Sequence, residues 1–172
     1  MAPQRLANDP PPRELTSLEI RDAHEEPSLS AVRGLFLEYA RSLGISLEFQ
    51  RFDAELASLP GEYAPPTGAL MLALVDGAAA GCVGLHSWQP RVAEMKRLYV
   101  RQEFRGTGIG RALAEAAMAR ALSLRYERLR LDTLPLMASA QALYRQLGFR
   151  EIAPYRDNPV AGAKYYEVVL NR

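Results

Sequence analysis

Cysteine is almost missing from this chain of 172 residues: Cys82 stands alone, so neither an intrachain disulfide nor a thiolate zinc cluster can form. That usage suits a reducing compartment, and a cytoplasmic location is the expectation. Cys82 lies in an apolar stretch with no activating base beside it and reads as a core residue. Histidine is scarce too. His24 and His86 form no metal-ligand spacing with each other or with Cys82, so no metal site is expected. Charge of one sign is also lacking. With 21 basic against 20 acidic side chains the formal net charge is +1, which excludes polybasic attachment of the whole chain to nucleic acid or membrane but permits a local basic site. Long hydrophobic runs are absent. The nearest, Gly68 to Leu85, is cut by Asp76-Gly77. An aspartate at a bilayer centre costs ~3 kcal/mol, whereas Asp-Gly between apolar runs is a strong hairpin signal. Residues Met1 to Asp9 lack the apolar core of a secretory signal.

What is present is globular: 48% apolar and 24% charged residues in a length that suits one domain. Residues 1–13 hold four of the twelve prolines and little to bury, so they are expected to be a disordered tail, with one domain over 14–172. Hydrophobic periodicity predicts strands at about 15–22, 69–75, 79–88, 92–100, 128–133, 149–153 and 164–170. It predicts helices from Ser28, a plausible cap, to Gly44, over a short stretch ending at Pro60-Gly61, from Gly108 to about Leu124, and from Met137 to Leu147. Strands alternating with helices in the middle, with hairpins at both ends, imply an α/β chain with a mixed sheet covered by helices.

The loop Arg105-Gly106-Thr107-Gly108-Ile109-Gly110-Arg111 follows a strand and opens a helix. Glycines there allow a tight turn and leave successive N–H groups unshielded, and the helix dipole adds positive potential, so the loop is an anion site. Between Glu94 and Arg130 nine basic residues face four acidic ones. The dinucleotide pattern G-x-G-x-x-G fails, because Arg111 or Leu113 stands where the third glycine belongs, and no Gly-Lys-Ser/Thr follows for a nucleoside triphosphate. The pattern that fits is R-x-x-G-x-G, from Arg105 to Gly110.

The run Glu94-Met-Lys-Arg-Leu-Tyr-Val-Arg-Gln-Glu-Phe-Arg-Gly-Thr-Gly-Ile-Gly110, followed by Ala140-Gln-Ala-Leu-Tyr-Arg-Gln-Leu-Gly-Phe149, closely resembles the GNAT superfamily of acyl-CoA-dependent N-acetyltransferases. The resemblance covers about Leu15 to Leu170. It implies about seven strands, mostly antiparallel, with a parallel central pair that splays apart, flanked by about four helices. It also implies acetyl-CoA as cosubstrate, its pantetheine arm lying in the splay beside Leu98, Tyr99 and Val100. Backbone amides from Gly106 through Thr107, Gly108, Ile109 and Gly110 to Arg111, with Arg105 beside them, would hold the pyrophosphate. Carried over from the same pattern, Glu94 is the candidate base and Tyr144 the candidate general acid. Strand alternation, without a bulge, puts Glu94 on one face with Lys96, Leu98 and Val100.

Each assignment has a plainer competitor. Glu94 also reads as a partner in an ion pair with Lys96 or with a neighbouring strand. Tyr144 also belongs to an apolar stripe with Leu136, Ala140, Leu143 and Leu147. Met137 stands where the family commonly has a cofactor-binding asparagine, and methionine cannot supply those hydrogen bonds; Ser139 is the nearby polar side chain that would replace them. His86, Trp88 and Arg156 are candidates for the acceptor site. The expected acceptor is the primary amine of a small molecule, with no nucleic acid or membrane partner, and family analogy makes a homodimer reasonable. A non-catalytic acyl-CoA sensor or scaffold is the alternative, kept open by Met137.

Overall fold

Apolar positions that alternate along the strands give the sheet two faces, and each face has its own pair of helices. The computed structural model describes residues 17–171. Seven strands form one sheet: β1 (Leu18–Asp22), β2 (Ala69–Val75), β3 (Ala78–Gln89), β4 (Val92–Val100), β5 (Arg128–Thr133), β6 (Arg150–Ile152) and β7 (Lys164–Val169). The helices are α1 (Ser28–Leu43), α2 (Phe52–Ser58), α3 (Ile109–Ser123) and α4 (Ala138–Gln146). The strand order is β1-β2-β3-β4-β5-β7-β6, and every neighbouring pair is antiparallel except β4 with β5. The expected proline-rich tail lies outside the described residues. No described helix is long and apolar enough to cross a membrane.

All seven residues of β2 are buried because both of its faces are covered. Leu70 and Leu72 pack with Val32, Leu35 and Phe36 of α1, while Met71 and Ala73 join Ile109 and Leu113 of α3. Burying a leucine or phenylalanine fully contributes ~1.5–3 kcal/mol, so these two layers anchor the helices that flank the site. The β2–β3 hairpin turns at Asp76 and Gly77, both left-handed (φ 49° and 81°), which matches strand twist as the Asp-Gly signal requires. Gly44 ends α1 in the left-handed region at φ 64°. The start of α1 differs from expectation. Pro27 occupies the cap position and Ser28 makes no cap bond; the Glu26 carboxylate accepts the Ser30 N–H at 3.0 Å instead. A longer side chain from before the helix reaches the free amides, and its charge suits the dipole.

The expected alignment of Glu94, Lys96, Leu98 and Val100 on one face is corrected by a bulge. Glu94 opposes His86 and Lys96 opposes Gly84, but Tyr99 then opposes Cys82, so β4 spends three residues where β3 spends two. Arg97 takes the left-handed conformation there, at φ 59°. Past it the faces exchange. Leu98 and Val100 pack beside Met95 on the α3 side, and Tyr99 packs with the α1 side, the face that Glu94 and Lys96 occupy. On its other edge, β4 pairs with β5 at Val92–Arg128, Ala93–Leu129 and Glu94–Arg130 only. Beyond Glu94 the two parallel strands part.

Candidate active site

Where β4 and β5 separate, a cavity of about 750 Å³ opens between the end of β4, the loop before α3, the end of β5 and α4. Leu98, Tyr99, Val100, Arg105, Gly106, Gly108, Ile109, Gly110, Arg111 and Ser139 all line it. Thr107 does not; its hydroxyl donates to the Phe104 carbonyl and fastens the turn. Gly106 and Gly108 sit at φ 75° and 88°, where L side chains are strained, and no other atom approaches within 4 Å of the position a Cβ would take. The amides from Gly106 to Arg111 have no backbone acceptor among the described residues, whereas the Ala112 N–H is taken by Gly108 C=O at 3.0 Å. These are the orphan donors of the α3 start, aimed from an open turn. Arg105 donates through Nε to Val100 C=O at 3.0 Å and lies 5.9 Å from the Tyr99 ring, which ties the loop to the strand end.

Tyr144 is both a packed core ring and a lining residue of the cavity. Its ring packs against Phe149 and Tyr166 at 5.7 and 6.2 Å, and it lines the cavity. Burial pushes its hydroxyl well above the usual tyrosine range, so it stays protonated at neutral pH. Met137 also lines the cavity, and its sulfur accepts from the Thr133 hydroxyl at 3.5 Å.

The other candidates gather outside the cavity lining. Glu94 has no exposed surface. His86 Nε2 lies 2.8 Å from Oε1, the Tyr155 hydroxyl donates to Oε2 at 2.6 Å, and the Arg156 guanidinium meets both oxygens. Arg156 lies 4.5 Å over the Trp88 ring, and Trp88 is 5.1 Å from Tyr155. His86, Trp88 and Arg156 are thus brought together, with Glu94 as their centre. Burial alone would push the Glu94 carboxyl up; His86, Arg156, Lys96 and Tyr155 outweigh it and hold it below the ordinary range. Lys96 is not its ion-pair partner; the Lys96 ammonium lies 3.8 Å from Glu55.

Three charges that line the cavity are not among the site residues expected from the sequence: Lys96, Arg97 and Asp132. Asp132 is the sole carboxylate among the described lining residues, and Asn158 donates to it at 3.3 Å. The alternation that buries Leu129 and Leu131 turns Asp132 to the other face, a signal that was available. Tyr155 carried no such signal, because only the fold brings it to Glu94.

The chain matches the family model described as Acetyltransferase (GNAT) family over residues 30–149. A Schizosaccharomyces pombe protein named an uncharacterized N-acetyltransferase is 37% identical over 140 residues, 80% of this chain and 86% of that relative. The N-acetylaspartate synthetase of Danio rerio is 29% identical over 72% of this chain and 45% of its own length. Among solved structures, a GNAT acetyltransferase from Staphylococcus aureus Mu50 superposes with a TM-score of 0.74 at 20% identity, over 90% of this chain and all of that one. An acetyltransferase of Salmonella typhimurium, solved with acetyl-CoA, gives 0.65 at 16% identity, over 90% and 94%.

Proposed function

The chain belongs to the GNAT family of acetyl-CoA-dependent N-acetyltransferases, and from that premise we propose that it acetylates the primary amine of a small molecule. The observation that carries the reading is the run of unpaired amides from Gly106 to Arg111 at the mouth of the β4–β5 gap. The site fits the cosubstrate: six free donors and two open left-handed glycines suit a diphosphate, and the unpaired edge of β4 suits an extended pantetheine arm. Relatives named for making N-acetylaspartate support a small acceptor. When bound, acetyl-CoA supplies an activated acyl group: the amine nitrogen bonds to the carbonyl carbon, the C–S bond breaks, and the sulfur leaves as a thiolate that takes a proton.

This chain's residues prepare that exchange. Amides at the β4 end near Val100 stabilise developing charge on the carbonyl oxygen, a contribution of ~3–4 kcal/mol for a main-chain donor so placed. Tyr144, kept protonated by burial, donates to the leaving sulfur. Glu94, ionised because its donors hold it low, takes the ammonium proton by way of water. A second reading gives that proton to Asp132, and the observation favouring it is that Asp132 lines the cavity while Glu94 does not.

Coenzyme A at about 100 times its dissociation constant is expected to add ~2.7 kcal/mol of apparent stability. The absence of any thermal shift at millimolar concentration overturns the proposal. Binding without thiol release for any amine makes the chain a sensor. Tyr144→Phe is expected to lower kcat about 100-fold, the lower end for a positioned proton donor, while the coenzyme-induced shift stays as in the parent. Stopped assays of thiol release and melting curves on the same sample check both.

A further inference from the structure

The charges on the α1 side of the splay pair off in order. Arg156 takes Glu94, Arg97 takes Glu55 through two bonds, and Arg130 takes Glu167 at 2.7 Å. On β4 and β5 two charges are left over. Lys96 has only a 3.8 Å contact with a Glu55 oxygen that Arg97 already holds, although its side chain is 9% exposed. Asp132 has Asn158 as its partner, and among the described residues no lysine or arginine pairs with it. Both residues line the cavity. Each stands two positions past the last paired register, Glu94–Arg130, so alternation puts both on one face of the sheet, on opposite sides of the opening where β4 and β5 separate.

We propose that this leftover cation and anion recognise a zwitterion, so that the acceptor is a free amino acid, its ammonium held by Asp132 and its carboxylate by Lys96. The inference rests on the N-acetyltransferase reading and names its acceptor class. A diamine or polyamine would bring a second cation toward Lys96 and Arg97, which already repel one another in a desolvated setting. Burial and the Arg97 charge draw the Lys96 ammonium below its usual range. An incoming carboxylate supplies the counter-charge that Glu55, committed to Arg97, does not. A monoamine without a carboxylate, an ammonium at neutral pH, would pair with Asp132 alone and leave Lys96 as it stands.

The test measures thiol release from saturating acetyl-CoA with free amino acids, with their amides, and with the amines left by loss of the carboxylate, such as leucine, leucinamide and isopentylamine. Coenzyme-induced thermal shifts are recorded on the same samples. Amino acids are expected to be the better substrates. Lys96→Met should raise their KM about thirtyfold or more, the loss that removing one partner of a buried charge pair brings, with little change in kcat. Lys96→Arg should recover most of it, and the Met variant should lose its preference for acid over amide. Equal or better turnover of amides or amines, an unchanged KM in Lys96→Met, or a coenzyme shift with no release from any amino acid overturns the inference and leaves the transferase reading standing. Failure of the coenzyme shift itself strikes that reading instead.

Discussion

Replacing Glu94 with glutamine is expected to lower kcat/KM ~10²–10⁴-fold at neutral pH, the range for a positioned base. The deficit should shrink as pH rises toward the pKa of the amine, ~10.4 for an alkylamine, because the nucleophile then arrives already neutral. Removing the carboxylate charge also leaves Arg156, with a 17% exposed side chain, and His86 without their anion, so the variant should melt lower. The pH dependence of that second effect has a definite sign. The folded protein holds the Glu94 carboxyl below its unfolded value, so its stabilisation is complete above the ordinary carboxylate range. It is lost only as pH falls through the lowered folded value. The melting gap between parent and variant should therefore begin to narrow near the unfolded carboxylate value, about 4, and close only beneath the lowered folded value. A kcat/KM deficit that does not change between pH 6 and 10 makes Glu94 a positioning residue only. If Asp132→Asn then gives the deficit that shrinks with pH, the proton belongs to Asp132.

How much of this was legible follows from how far apart in the chain the partners lie. The turn at Asp76-Gly77, the end of α1 at Gly44 and the whole run from β4 through the glycine loop to α3 are local events, and local residue types declare them. The bulge is different. A left-handed Arg97 breaks the rule that reserves that conformation for glycine, so alternation carried the face of Glu94 through to Val100 when it should have stopped at Lys96. The surroundings of Glu94 come from His86 on the neighbouring strand and from Tyr155 and Arg156, sixty-one and sixty-two residues away. Arg156 was visible as a basic residue in a late loop, but nothing in its neighbours says that it meets Glu94 rather than solvent. Asp132 is masked by Leu129 and Leu131, which mark β5 as core, and only the alternation between them tells that it lies on the opposite face.

The bulge itself can be tested through the residue that pins it. Arg97 is 4% exposed, donates to both oxygens of Glu55 at 2.8 and 3.3 Å, and lies 5.2 and 5.9 Å from the Phe52 and Tyr39 rings. A left-handed L-residue costs roughly 1–2 kcal/mol, so the pair with Glu55 must more than offset the strain. Arg97→Met removes one half of a nearly buried pair, a loss of ~3–5 kcal/mol. In a chain of this size each kcal/mol is worth ~2–4 °C, which makes the expected drop in melting temperature about 6–20 °C. Arg97→Gly should fall less far, since it relieves the backbone while losing the same pair. Adding Glu55→Gln to Arg97→Met should recover part of the loss, because the stranded carboxylate goes with it. Coenzyme binding should weaken in the Met variant as well. Leu98 and Val100 face the gap only because the bulge exchanges the faces of β4, so a strand relaxed to regular pairing would present different groups to the pantetheine arm. A Met variant that melts within 3 °C of the parent and binds coenzyme equally well would mean that the bulge is held by the rest of the sheet and not by Arg97.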